Sequence, residues 1–168
     1  NRSYFGVPNV MNTQNEKRRF ESFESLVAET GKELGVSDWH KVDQEQINTF
    51  AEATGDHQWI HVDVERSIKE SPYGAPIAHG HLTLSLVPML LSSTIEYVPK
   101  TTGINYGLDK VRFMAPVKAG KRVRGRVSLR SAERTNEKTV KVMFSTIIEI
   151  EGEEKPACIA DSIALYLN

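Results

Sequence analysis

The sequence predicts an α+β protein in which a curved antiparallel sheet wraps around one apolar helix. Three observations carry that reading. Residues 77–93 are the longest apolar segment, the chain after them alternates apolar and polar residues, and the chain before them reads as short capped helices.

The segment 77–93 contains Leu82, Leu84, Leu86, Val87, Met89, Leu90 and Leu91, which leave no wholly polar face. A helix that is apolar nearly all round is enclosed by its own protein or spans a membrane. At the usual rise this one makes about four turns, short of the roughly 20 apolar residues a bilayer requires. His79 and His81 sit at its start. It is therefore expected to be a buried central helix.

With 168 residues the chain suits a single domain, expected over 11–168. Residues 1–10 precede Met11, carry no periodic pattern, and are read as a leader or disordered stretch outside the fold. A net charge of -1, from 21 basic and 22 acidic residues, argues against nucleic acid or an anionic membrane as partner. The single cysteine, Cys158, excludes an intrachain disulfide and fits a reducing compartment. With no secretory signal or spanning segment in view, the expected location is cytoplasmic.

In chain order, Ser22 caps a predicted helix through Phe23, Leu26, Val27 and Thr30, with Gly31 as its stop. Gly35 and Ser37 break the chain before a short strand over 38–42. Asp43 and Gln46 then form a capping-box-like pair. Ile47, Phe50, Ala51 and Thr54 follow at helical spacing and Gly55 ends that helix. Asp63 caps a short helix over 64–69. Pro72, Gly74 and Pro76 form a loop leading to the central helix.

Beyond 99–103, Ile104, Tyr106 and Leu108 alternate, and Val111 and Phe113 continue on the opposite parity. A bulge within 107–110 accounts for the switch. A turn over 116–120 leads to a strand with Val123, Val127 and Leu129 on one face and Arg122, Arg124, Arg126 and Arg130 on the other. Val140, Val142, Phe144, Ile148 and Ile150 alternate next. After a turn over 152–156, Ile159, Ile163, Leu165 and Leu167 mark the last strand. Such alternation suits an antiparallel sheet with one covered face, whose edges favour a dimer.

Candidate chemistry lies just before the central helix and at its first turn. Asp56 and His61 stand five apart in a segment bounded by Gly55 and Asp63. A carboxylate beside an imidazole makes an acid–base pair, worth about 10²–10⁴ in rate when it transfers a proton. The plainer reading makes Asp56 a loop cap and His61 a half-buried loop residue. Gly80 opens the central helix, where backbone N–H groups lack intrahelical partners. A substrate oxygen can approach an N–H there closely and meet the positive helix end. Alternatively, Gly80 only permits close packing of helix on sheet. His57, His61, His79 and His81 include no H-E-x-x-H motif, and no metal is expected. The arginine stripe suits a solvated strand face better than a phosphate site. Ser85 lacks an adjacent base, and Cys158 lies in an apolar strand.

The run F-A-E-A-T-G-D-H-Q-W-I-H-V-D, residues 50–63, resembles the signature of (R)-specific enoyl-CoA hydratases and MaoC-like dehydratases. P-I-A-H-G-H-L-T-L-S-L, residues 76–86, resembles the start of their central helix. K-V-R-F-M-A-P-V-K-A-G, residues 110–120, resembles their R-F-x-x-P-V-x-x-G segment. Three blocks in order are far more specific than any one. The wording of D-H-Q-W-I-H and I-N-Y-G-L-D-K-V-R-F is most similar to the nodulation protein N-like subgroup.

The resemblance implies the hot-dog fold and a homodimer. It implies catalysis by Asp56 and His61, with the Gly80 N–H as oxyanion donor. His79, Gly55, Trp59, Lys110 and Arg112 are the residues expected to contact substrate. The implied reaction is reversible hydration of a trans-2-enoyl thioester, on CoA or an acyl carrier protein, to the (R)-3-hydroxyacyl thioester. No cofactor beyond the CoA of the substrate is implied. One position departs from the pattern: Pro88 stands where some hydratases carry serine, and it is expected to kink the helix. Two rivals remain at this stage: thioester hydrolysis on the same fold, and a non-catalytic acyl-thioester-binding module.

Overall fold

A computed structural model describes residues 16–168. The reading of residues 1–10 as a leader lies outside them. From 16 to 94 the chain has more helix than strand. Strand β1 (Arg18–Phe20) is followed by α1 (Phe23–Val27), β2 (Glu33–Val36), β3 (His40–Lys41), α2 (Gln44–Thr54), α3 (Trp59–Val62) and α4 (Val64–Glu70). Next come the two central segments α5 (Gly80–Ser85) and α6 (Val87–Thr94), then β4 (Ile95–Tyr97). The long strands β5 (Thr102–Phe113), β6 (Arg122–Asn136), β7 (Thr139–Ile150) and β8 (Cys158–Leu167) complete the chain.

The caps act where the sequence places them. The Ser22 hydroxyl accepts from the Ser25 N–H, Asp43 from Gln46, and Asp63 from Arg66. Helix α1 ends at Val27, short of Thr30, and Gly31 turns the chain at φ +83°. Gly55 closes α2 at φ +80°, a left-handed conformation that favours glycine.

The main sheet runs β2-β6-β7-β8-β5, with β3 also on β6, and every pairing is antiparallel. Its inner face carries Val123, Val127, Leu129, Val142, Phe144, Ile148 and Ile150, each 2% exposed or less. Leu82, Leu86, Val87 and Leu90 of the central helix pack against this face. At Gly125 the approach is close: an added Cβ would lie 3.1 Å from Leu90 Cβ.

The central helix differs from expectation in three ways. It starts at Gly80, because Ile77 is held in a bridge to Lys118. It breaks at Leu86, since Pro88 has no N–H to give to the preceding turn. It is also not enclosed: His81, Ser85, Pro88, Met89 and Ser92 form an exposed stripe.

Three strand expectations also change. Gly35, expected to break the chain with Ser37, lies inside β2, whereas the strand expected over 38–42 shortens to β3. The parallel pair β1–β4 had no periodic signal. In β8 the parity is reversed: Cys158, Ala160 and Ser162 oppose the inward residues Ile148, Thr146 and Phe144. Ile159, Ile163 and Leu165 therefore occupy the outer row, because directly opposed residues share a face. The bulge expected within 107–110 is real, and β5 carries a second between Asn105 and Gly107.

Candidate active site

Four short pieces of chain converge beside the start of α5. Helix α2 ends at Gly55, and the turn presents Asp56, whose carboxylate accepts the Gln58 N–H at 3.3 Å. Helix α3 then carries His61 inward until it is 6% exposed. His61 Nδ1 lies 2.7 Å from the Ile77 carbonyl oxygen. A carbonyl only accepts, so Nδ1–H donates and Nε2 keeps the lone pair. The Gln44 side-chain amide donates to the His61 carbonyl at 2.7 Å, tying α2 to α3.

His79, 2% exposed, is the last residue before α5. Its Nε2 lies 2.9 Å from the Asp56 carbonyl, so this nitrogen is the donor. The His79 ring stacks on His61 with centroids 3.9 Å apart and planes 24° from parallel. The Phe50 ring also packs on it, tilted by 53° with centroids 4.9 Å apart. One side-chain polar atom from each of Asp56, His61 and His79 falls within 4.8 Å of the others. Lone pairs on nearly parallel rings run side by side, whereas chelation needs them to converge at about 2.0–2.1 Å. The trio brings one carboxylate and two imidazoles to one place.

Burial pushes the His61 pKa below the ordinary imidazole value, and the nearby His79 pushes it the same way. The backbone bond to Ile77 and the Asp56 carboxylate oppose the shift. A neutral imidazole with a fixed tautomer, beside a carboxylate, is equipped to take a proton near neutrality.

Gly80 is the first residue of α5, and its N–H belongs to the first turn, without an intrahelical acceptor. The Phe113 ring lies over it, 3.2 Å from where a Cβ would sit. The close-packing reading of Gly80 is what the Phe113 contact shows.

The other expected contacts fall elsewhere. Gly55 shapes the turn. The half-buried Trp59 ring faces the Arg66 guanidinium at 4.2 Å. Lys110 and Arg112 oppose Asp161 and Ile159 on the outer row of the sheet, away from the helix, and are not brought to the trio. The arginine stripe is paired internally: Arg122 with Glu151, and Arg124 and Arg126 with Glu149. It is a solvated face. The Ser85 hydroxyl donates to the His81 carbonyl. Sequence reasoning missed Gln44 and the Ile77 carbonyl. Gln44 lies 17 residues from His61, with no motif joining them.

One turn along the helix a cavity of about 920 Å³ opens. Leu84, Pro88 and Leu91 line one wall, and Leu108, Phe144 and Tyr166 line the sheet side. Among the described residues, no helix is long and apolar enough to cross a membrane.

Comparison with known proteins gives the family of the chain. The MaoC like domain family model matches residues 25–151. The chain is 49% identical over 150 residues to 3-hydroxyacyl-thioester dehydratase Z of Mycobacterium tuberculosis, covering 89% of this chain and 99% of that protein. It is 46% identical over 136 residues to nodulation protein N of Rhizobium meliloti, covering 80% and 84% respectively. Among solved structures, the R-hydratase PhaJ1 of Pseudomonas aeruginosa shares the fold with a TM-score of 0.64 at 18% identity, covering 87% of this chain and 85% of that one. An antiparallel hot-dog sheet packed on a central helix, a family match over most of the chain and two relatives aligned over most of their length lead to one assignment: the chain belongs to the MaoC-like dehydratase family, an enzyme family of hydro-lyases.

Proposed function

We propose that this protein reversibly hydrates trans-2-enoyl thioesters to (R)-3-hydroxyacyl thioesters, with Asp56 and His61 moving the proton. The observation that carries this reading is the His61 tautomer. Nδ1–H is committed to the Ile77 carbonyl, so the Nε2 lone pair is free to accept. In the hydration direction His61, assisted by Asp56, removes a proton from water as the water oxygen bonds to C3. The C2–C3 π electrons move onto the thioester as an enolate, and the Gly80 N–H donates to its oxygen. The proton then returns to C2, so the elements of one water are added across the double bond. Dehydration uses the same groups in reverse. This chemistry calls for no cofactor beyond the thioester, because the carbonyl acidifies C2.

The cavity beginning at Leu84 suits the acyl tail, and its volume of about 920 Å³ lies within the roughly 300–1,000 Å³ range of small-molecule sites. The carrier is CoA or an acyl carrier protein. The protein works as a homodimer paired along β5: this edge strand has twelve residues, all exposed except half-buried Val111, and displays Ile104, Tyr106 and Leu108.

The test follows loss of the conjugated double bond of short and medium trans-2-enoyl-CoA, with product analysis. Asp56→Asn and His61→Ala should each lower kcat by about 10²–10⁴. Full activity in both variants would remove the proposed roles. Released thiol without a hydroxyacyl product would assign hydrolysis instead. Tight acyl-CoA binding without turnover would assign a binding module.

A further inference from the structure

His79 is more tightly engaged with the acid–base pair than a substrate-contact role requires. It is 2% exposed, its Nε2–H donates to the Asp56 carbonyl at 2.9 Å, and its ring stacks on His61 at 3.9 Å. Its Nδ1 is buried with no partner among the described residues. The one hydrogen bond of the His79 ring among the described residues is therefore the one to Asp56. Gly55, Asp56, His57 and Gln58 are all exposed and non-helical; the segment is tied at its ends, by the Gly55 N–H to the Ala51 carbonyl at 2.8 Å and by the His61 N–H to the Gln58 carbonyl at 3.0 Å, and between them His79 holds the Asp56 carbonyl. The one side-chain bond made by the Asp56 carboxylate is long, 3.3 Å to the Gln58 N–H. His61, by contrast, is anchored by Ile77 and Gln44.

We propose that His79 is a positioning residue, whose Nε2–H on the Asp56 carbonyl and whose face on the His61 ring hold the two proton-transfer groups in register. The inference rests on the hydratase reading for its activity readout. One imidazole spans both members of the pair: its edge fixes the backbone of Asp56, and its face fixes the plane of His61. Misplacing a reacting group by about 1 Å can cost about 10² in rate. A residue acting this way changes kcat and leaves substrate binding alone.

Two substitutions separate the contributions. His79→Gln places an amide N–H at nearly the reach of Nε2, whereas His79→Phe keeps a ring against His61 and Phe50 and loses the donor. The enoyl-CoA assay should show kcat of His79→Phe down by about 10²-fold with KM near wild type. His79→Gln should recover most of that loss. Wild-type kcat in His79→Phe, a change confined to KM, or equal losses in both variants with unchanged melting would each overturn the proposal.

If His79→Phe does not fold, the wild-type protein decides through its histidine ¹H–¹⁵N spectrum. The His79 ring must appear as the Nε2–H tautomer, and the Nδ1–H tautomer would overturn the proposal. That spectrum needs no turnover. An inactive wild type with the Nε2–H tautomer would count against the hydratase reading while leaving the His79–Asp56 contact established.

Discussion

Gly125 gives the most direct measure of how closely the central helix is seated. It lies in β6 opposite Ile148, and its added Cβ would meet Leu90 Cβ at 3.1 Å and Thr146 Cγ2 at 3.3 Å. Comfortable carbon–carbon contacts begin at about 3.5 Å, so Gly125→Ala forces α6 or the neighbouring strand to yield by a few tenths of an ångström. Neither yields easily: Leu90 is 1% exposed and Thr146 is fully buried. Overpacking of this kind costs about 1–3 kcal/mol. Removing a strand glycine returns roughly 0.5–1 kcal/mol through the unfolded chain. The difference is a net destabilisation of about 1 kcal/mol. For a chain of this size that lowers Tm by about 2–4 °C. Calorimetry with a parallel urea titration reads it directly. A Tm equal to or above wild type would refute the packing argument. Gly80 supplies the contrast, since its added Cβ meets the ring of Phe113, which is 49% exposed and free to swing. Gly80→Ala should leave Tm nearly unchanged while lowering turnover.

Two further outcomes follow from buried titratable groups. The folded-state pKa of His61 is depressed, so the unfolded chain takes up its proton first as pH falls. Stability is therefore full above the unfolded value of about 6.5, and declines below it until the folded pKa is reached. His61→Phe should flatten that part of the Tm–pH curve, and an unchanged slope would exclude His61 as its source. The Cys158 thiol, fully buried in β8, is pushed up to about 11 by burial. It should resist thiol reagents at pH 8 in the folded protein and react fully in denaturant; rapid native labelling would contradict its burial.

The caps and the alternation were legible in the sequence because they depend on local groups. Asp43, Asp63 and Gly55 act within one turn of their own residues. In β6 and β7 a polar row opposes an apolar one, so inward residues declare themselves. The nearness of Asp56 to His61 was legible for the same reason, since they stand five apart with a helix stop on one side. The parity of β8 was not. Its two rows are Cys158, Ala160 and Ser162 against Ile159, Asp161 and Ile163, and neither is clearly polar. Hydrogen-bond register with β7 turned the small row inward, and Cys158 and Ala160 joined the core that packs on the helix.

What the sequence by itself determined was the list of elements with strong local signals and the residue types available for proton transfer. Only the tertiary structure decided how those residues are held. The Ile77 carbonyl that sets the His61 tautomer is 16 residues away, and the His79 donor that holds Asp56 is 23 away. Such bonds join backbone groups that every residue carries, so no side-chain pattern announces them. They exist because a loop bridged to Lys118 and a helix seated over Gly125 bring the two segments to the same place.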